Sequence, residues 1–337
     1  MRRIDSFILL LFILVLFPAI GASGMAGAAT AQAPPYINEP IQPIPFPAPR
    51  TAQENAKIVL GEKLFSDVRL SSNNNSACIT CHPLEQGGMD NLRFSTRPNG
   101  EPTPVNTPTI FNLALNFRLF WNGRTRTLED QIRTDPLPDN STQWAEVLVK
   151  LSQDEIYLKE FDSLYAEGIS INNIQDAIVA FERSLVTPNS RFDKFLRGDK
   201  SAISASEKQG YDLFKSYGCA ACHQGANVGG NMFQKLGVVA NYFADRGHIT
   251  VPDGGRFNVT KREEDRHVFR VPSLRLVALS EPYLHDGGEK TLEDVIGVMA
   301  KYQLGRSIPK EHIDLIIAFL KTLPGEYQGR LLTGDKY

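Results

Sequence analysis

The sequence predicts a mainly helical protein made of two similar halves. The pattern Cys-x-x-Cys-His occurs twice, at 78–82 and at 219–223. A segment that begins at Pro108 recurs without a gap from Pro272. Helical start signals precede both Cys-x-x-Cys-His patterns, and few runs alternate as strands do. Together these observations favour a duplicated helical domain.

The length and charge of the chain limit the kind of protein it can be. The 337 residues, 42% of them apolar, are enough for two domains with cores of their own. The formal net charge is only −2, so bulk electrostatics give no reason to expect binding to nucleic acid.

The N-terminus has the pattern of an export signal. Arg2 and Arg3 precede an apolar run that is short for a membrane span, and the small residues of AATAQA follow it. We expect residues 1–33 to be a cleavable signal peptide and the mature protein to be periplasmic, with an uncleaved anchor as the alternative. Residues 34–50 are rich in proline and should run extended along a surface rather than form a helix.

A helix with the same start signal is predicted before each cysteine pattern. Thr51 and Glu54 form a capping box at the start of the first helix, and Ser204 and Glu207 form one at the start of the second. Both helices also contain the sequence Gly-x-x-Leu-Phe.

The match is tighter downstream of the cysteine patterns. A shift of 164 positions superposes Trp121 on His285 and aligns two copies of Thr-Leu-Glu-Asp. We therefore predict an internal duplication, with an N-terminal domain over 51–190 and a C-terminal domain over 191–337. Residues 188–204 have the composition of the linker between them.

The two cysteine patterns indicate covalently attached haem. They use all four cysteines of the chain, and a histidine follows each pair directly. Disulfides or a shared zinc site are alternatives, but a zinc site has no need of a histidine in that position. Two c-type haems are therefore predicted, one held by Cys78, Cys81 and His82 and the other by Cys219, Cys222 and His223.

The two predicted haem irons differ in the residue that is available as a second axial ligand. Between His82 and Val149 there is no His, Lys, Tyr or Cys, and the one Met, Met89, lies in a glycine-rich turn where packing is favoured over ligation. In the second half, Met299 lies on a predicted helix, and its counterpart in the first half is Asp135. One haem is thus predicted to be a His/Met centre of raised potential, and the other to have an open iron that can bind an oxidant.

With these features the chain resembles the bacterial di-haem cytochrome c peroxidases, a family that includes the MauG-type enzymes. The resemblance covers about residues 51–306 and is carried by LGEKLFSDVRLS, NTPTIFN, FWNGRTRTLEDQ and EPYLHDGGEKTLEDVIGVM. It implies that Trp121 relays electrons between the haems, that Gln131 lies in the peroxide pocket, and that Met299 is the sixth ligand where MauG-type enzymes have Tyr.

The resemblance also implies an activity and partners. We expect a peroxidase that reduces hydrogen peroxide to water with electrons from a small cytochrome c or cupredoxin, and that forms a homodimer. A calcium ion would be held by Asn106 and the backbone carbonyls of Ser280 and Pro282, since calcium prefers oxygen ligands. A MauG-type oxidase of a protein substrate and a plain two-haem electron carrier are the alternatives.

Two departures from the family pattern concern the peroxide site. The loop before NTPT contains no histidine that could cap the first haem. Where the family has its catalytic glutamate, this chain has Ser141 and Thr142. Since the duplication places Asp135 at the position of Met299, Asp135 is the predicted proton-transfer group, with Asp139 and Glu146 as rivals.

Overall fold

The computed structural model describes residue 36 and residues 38–134 and 141–333, of which 141 and 142 by backbone alone. Within these residues the protein is mainly helical, as predicted. The first half contains α1 (Ala52–Phe65), α2 (Cys78–Cys81), α3 (Leu128–Thr134), α4 (Ser141–Leu151), α5 (Glu155–Leu164) and α6 (Ile171–Ser184). The second half contains α7 (Arg191–Leu196), α8 (Ala205–Ser216), α9 (Tyr242–Arg246), α10 (Phe257–Thr260), α11 (Leu292–Tyr302) and α12 (Lys310–Leu320).

The strands are short and occur as two antiparallel pairs. β1 (Phe233–Lys235) pairs with β2 (Val268–Arg270), and β3 (Glu326–Tyr327) pairs with β4 (Arg330–Leu331). Four strands of two or three residues cannot form the core of a domain, so helix packing determines the fold of the described residues.

In the first half, α1 begins at the predicted capping box and packs on α6. The side chain of Thr51 accepts from the backbone N–H of Glu54, which satisfies one of the free donors of the first turn. Gly61 lets the helices approach closely, because a Cβ there would overlap the carbonyl oxygen of Ala177. The rings of Phe65 and Phe181 then meet with centroids 5.3 Å apart.

In the second half, α8 packs on α12 in the same way. Ser204 caps α8, and a Cβ at Gly210 would overlap the carbonyl oxygen of Leu315. The rings of Phe214 and Phe319 lie 5.3 Å apart, at the same 57° angle as the aromatic pair of the first half. The two helix pairs therefore share their cap, their close contact and their aromatic pair.

The repeated sequence also has the same backbone geometry in both halves. Phe120 and Leu284, 164 positions apart, both adopt a left-handed conformation, with φ of 63° and 70°. A backbone bridge joins Leu119 to Thr125 in the first half, and the equivalent bridge, 164 positions on, joins Tyr283 to Glu289. Two 3₁₀ turns have the same spacing, Leu113–Leu115 and Val277–Leu279.

The described residues of the proline-rich lead-in include no helix, but the segment does not simply follow the surface. Ile41 and Ile44 are fully buried, and Ile41 belongs to the core of the second half. The guanidinium of Arg275 donates a hydrogen bond of 2.7 Å to the carbonyl oxygen of Gln42. The segment predicted as a linker contains α7, whose Phe192 is fully buried in that same core.

The end of the described chain returns to the first half. Tyr327, in β3, meets Phe111 of the first core with ring centroids 5.0 Å apart. Among the described residues, no helix combines the length and the apolar composition needed to cross a membrane. The predicted signal peptide, residues 1–33, lies outside the described residues.

Candidate haem-binding site

The second cysteine pattern opens into a large, mostly apolar cavity. Cys219, Cys222 and His223 line a volume of about 420 Å³, and Met299 of α11 lines the same volume. Cavities of roughly 300–1,000 Å³ are typical of cofactor sites. The structure thus brings the predicted thioether cysteines and both predicted axial ligands to one cavity, and this donor set fits a covalent haem.

Burial keeps the His223 ring neutral, the form in which imidazole binds iron. It lowers the pKa of His223 to about 4, and the nearby carbonyl groups of Val228 and Pro272 oppose this effect. Neither carbonyl forms a hydrogen bond of good geometry with Nδ1, which has no partner among the described residues.

The first cysteine pattern forms the single turn of α2, and its histidine has a fixed tautomer. Because a carbonyl oxygen can only accept, the contact of 2.9 Å between His82 Nδ1 and the Gly88 oxygen places the proton on Nδ1. Nε2 is then left as the metal-binding nitrogen, an arrangement usual for ligating histidines. Burial lowers the pKa of His82, although the bond to Gly88 opposes it. Cys78, Cys81 and His82 therefore fit a second covalent haem.

Met89 is buried in the core of the first half. It is 2% exposed and belongs to the first core together with Ile110 and Phe111. Its side chain also reaches the wall of the second-half cavity. Its assignment as a packing residue stays a prediction.

Trp121 lies where the two halves meet. Its indole N–H donates a hydrogen bond of 2.9 Å to the carbonyl oxygen of Asn106, and its ring lines the cavity of the second half. The ring meets His285 edge-on, with centroids 6.4 Å apart. The two residues that the shift of 164 positions superposes are therefore in contact with each other.

The three residues predicted to hold calcium lie on the cavity wall next to Trp121. Asn106, Ser280 and Pro282 all line it. The Asn106 amide nitrogen donates to the carbonyl oxygen of Leu92 at 2.9 Å, so its amide oxygen is the atom left for an ion. Among the described residues, no group of three or more His, Cys, Asp or Glu side chains could hold a metal ion, so such a site would depend on amide and carbonyl oxygens.

Sequence reasoning missed a buried charge network behind His285. Asp253 is fully buried and contacts His285 Nε2 at 2.7 Å and Arg246 at 2.6 Å. Burial alone would raise the pKa of Asp253, but hydrogen bonds from His285, Arg246 and Thr250 outweigh it and hold the pKa well below the usual range. Asp253 lies in a single 3₁₀ turn, Val251–Gly254, which is too short for periodicity to have indicated its burial.

The structure describes only part of the predicted peroxide site. Gln131 is buried on α3, and its Oε1 has no hydrogen-bond partner among the described residues. Asp135 and Asp139 lie outside the described residues. Glu146 is exposed on α4. Gln131 therefore offers an unused acceptor, while the two aspartates stay predictions.

Comparisons with known proteins agree with this geometry. The family described as di-haem cytochrome c peroxidase matches residues 55–201. The chain is 42% identical to cytochrome c551 peroxidase of Nitrosomonas europaea, over 86% of this chain and 85% of that protein. It is 44% identical to cytochrome c peroxidase Ccp of Escherichia coli, over 89% of this chain and 64% of that longer protein. A crystal structure of a MauG-like protein associated with microbial copper homeostasis superposes with a TM-score of 0.71 and 29% identity, over 88% of this chain and 95% of that one.

The fold and the two cysteine patterns define a protein with two c-type haems. The chain belongs to the di-haem cytochrome c peroxidase family. It is a peroxidase, and its cofactors are two covalently bound haems.

Proposed function

We propose that this enzyme works in the periplasm and reduces hydrogen peroxide to water with electrons from a small cytochrome c or cupredoxin. The haem held by Cys78, Cys81 and His82 would be the peroxide site, and the haem of the second half would receive the electrons. The observation that carries this assignment is the position of Met299, which lines one cavity with His223. A His/Met pair raises the potential of a haem, as an electron-accepting centre requires.

The chain contributes positioning and an electron route between the two sites. Haem iron supplies the redox chemistry, namely peroxide reduction at one centre and electron uptake at the other. Trp121 lies beside the second cavity and is held by Asn106, and we assign it the relay between the haems. A tryptophan fixed by its N–H and by ring packing has few conformations, which favours a defined route.

Peroxide orientation and proton transfer are assigned to the first half. The unpaired Oε1 of buried Gln131 can accept a hydrogen bond from a peroxide O–H, and leaving such an oxygen unused costs about 1–3 kcal/mol. Gln131 cannot titrate, so a second group is needed that accepts a proton from the near oxygen of peroxide and donates one to the far oxygen. We assign this role to Asp135, just beyond α3. The exposure of Glu146 weighs against it as a rival.

Several further expectations belong to the same proposal. Calcium bound by Asn106 and the carbonyls of Ser280 and Pro282 would hold together the segments around Trp121. A signal peptide over 1–33, domains over 51–190 and 191–337, and a homodimer complete it. The duplication is supported by the repeated helix pairs and turns, which share aromatic geometry and φ values.

A steady-state assay tests the proposal. The holoenzyme should oxidise a reduced small cytochrome c or a reduced cupredoxin in the presence of hydrogen peroxide, with two electrons per peroxide. The control is Trp121→Phe, which should retain both haems and lose turnover. Consumption of peroxide without oxidation of either donor would contradict the proposal in favour of a MauG-type oxidase. Inertness to peroxide would favour an electron carrier.

A further inference from the structure

Arg270 is a buried cation without an acidic partner, at the wall of the second-half cavity. It is the last residue of β2, is 3% exposed, and lines the same cavity as Cys222 and His223. No carboxylate of the described residues forms an ion pair with it. Isolated buried charges are strongly unfavourable, so such groups are normally paired or bind a ligand.

The other buried arginine of this region shows what a paired one looks like. Arg275, with no exposure, contacts the carboxylate of Asp193 at 2.8 Å and donates to the carbonyl oxygens of Ala226 and Gln42. Arg270 has weaker contacts: Nε donates to the carbonyl oxygen of Phe120 at 3.2 Å, and Nη1 reaches the Asn116 side-chain oxygen at 3.4 Å.

Burial alone, with no acid to oppose it, lowers the pKa of Arg270 to about 10. The group still carries its charge at neutral pH. The guanidinium of Arg270 is therefore charged but has no anionic partner among the described residues. The cavity that it lines has room for such a partner.

We propose that Arg270 is the counter-ion of a haem propionate in the second-half cavity. This inference rests on the proposed function, which places a haem there. Haem carries two propionate carboxylates, and a guanidinium can bind a carboxylate through two parallel hydrogen bonds. A propionate is the anionic part of the cofactor that the cysteines and His223 already fit.

Arg270 also connects this cavity to the electron route. Its backbone N–H donates a hydrogen bond of 2.9 Å to the carbonyl oxygen of Trp121, and its Nε holds the carbonyl of Phe120. Arg270 is thus a positioning residue that joins the second haem to the Trp121 turn. A cation near the iron stabilises the reduced form, since reduction adds a negative charge.

Arg270→Gln should therefore lower the potential of the second haem. A unit charge on the order of 10 Å away, at an effective dielectric constant of about 20, shifts the reduction equilibrium by roughly tenfold or more toward the oxidised form. Arg270→Lys keeps the charge and should retain most of the potential. A merely structural role would not produce this charge-dependent difference between the two variants.

The experiment is a spectroscopic redox titration of wild type, Arg270→Gln, Arg270→Lys and Arg256→Gln holoprotein, with haem content measured in each. Arg256 is the control: it also adjoins β2, but it does not line the cavity, and Asp265 lies 3.9 Å from it. We expect the reduction equilibrium of the second haem to shift tenfold or more toward the oxidised form in Arg270→Gln, and in no other variant of the set.

An unchanged potential in Arg270→Gln with full haem content would overturn the inference, as would an equal shift in Arg270→Lys. If Arg270→Gln does not fold with haem, Arg270→Lys is compared with wild type instead. A potential retained in Arg270→Lys supports the counter-ion role. A potential lost in that variant contradicts it. A wild-type protein with fewer than two haems would instead contradict the proposed function.

Discussion

The two halves of the molecule share a framework and differ in a few side chains. Each has a capped helix that packs on a second helix through a glycine and a pair of phenylalanines. The turn that carries Trp121 in the first half carries His285 in the second, and the residue before each has a left-handed backbone. Two similar helix frameworks can therefore hold different side chains, here an indole and an imidazole, at equivalent positions of the sequence repeat.

The same comparison separates the two iron sites. At one pair of equivalent positions the second half has Met299, on the wall of its cavity, and the first half has Asp135. At another pair the second half has Arg275, paired with Asp193, and the first half has Phe111, packed on Tyr327. On this account, single residues rather than the fold make one haem an electron acceptor and the other a peroxide site.

The largest effect is expected at the first-half position that replaces Met299. Asp135→Asn should slow the reaction with peroxide by about 10²- to 10⁴-fold, because it removes the proton-transfer group. Rapid-mixing absorbance of the holoenzyme with peroxide measures this rate, and peroxide binding should be largely retained. Asp139→Asn and Glu146→Gln are the matched controls. A wild-type rate in Asp135→Asn with a large loss in one of these would move the role to that residue.

The second-half position should control potential rather than peroxide chemistry. Met299→His replaces a thioether by a harder donor and should lower the potential of that haem by a substantial part of the roughly 0.8 V range that axial ligands span. Redox titration measures it. Met89→Leu is the control, since Met89 packs in the first core and only borders that cavity, so this variant should keep a high-potential haem. A retained high-potential haem in Met299→His, or its loss in Met89→Leu, would show that the ligand is misassigned.

The Arg275 position should matter for stability and not for redox behaviour. Arg275→Ala leaves the buried carboxylate of Asp193 without its cation, and breaking such an ion pair costs about 3–5 kcal/mol in the free energy of unfolding. Denaturant titration of the holoenzyme checks this. Arg262→Ala removes the largely exposed arginine of an ion pair with Asp265. The aspartate keeps its hydrogen bond from Thr260, so the loss should be less than about 1 kcal/mol. Equal losses in the two variants would contradict this account.

Glycine substitutions should affect both halves alike. Gly61→Ala and Gly210→Ala should each destabilise the protein by about 1–3 kcal/mol, because the added methyl group overlaps the partner helix. Gly297→Ala is the opposite control: a methyl group on α11 meets no atom within 4 Å, and alanine favours a helix by up to about 1 kcal/mol. Thermal unfolding measures all three. A loss confined to one half would indicate that the helix pairs are not equivalent.

Local patterns allowed much of this structure to be predicted from the sequence. The capping boxes at Thr51 and Ser204 formed as expected, because their partners lie within one turn. The cysteine patterns are equally local, since each holds its attachment and ligand residues within five positions.

Contacts between distant segments were harder to predict. The burial of Ile41 and the pairing of Asp253 with His285 depend on segments that meet only in the folded chain. The same holds for Arg270, which is one of many arginines in the sequence and becomes distinctive only when its burial and its missing partner are known. Neither composition nor periodicity reports such long-range pairing.

Electron paramagnetic resonance of the fully oxidised, as-isolated holoenzyme tests the central claim most directly. The claim is that one iron is closed by His223 and Met299, and that the other is open above His82 because no histidine caps it. The account predicts a high-spin ferric signal from about one of the two haems and a low-spin signal from the other. It also predicts that the oxidised enzyme reacts with peroxide without prior reduction. Low-spin signals from both haems, with a lag that pre-reduction abolishes, would contradict it.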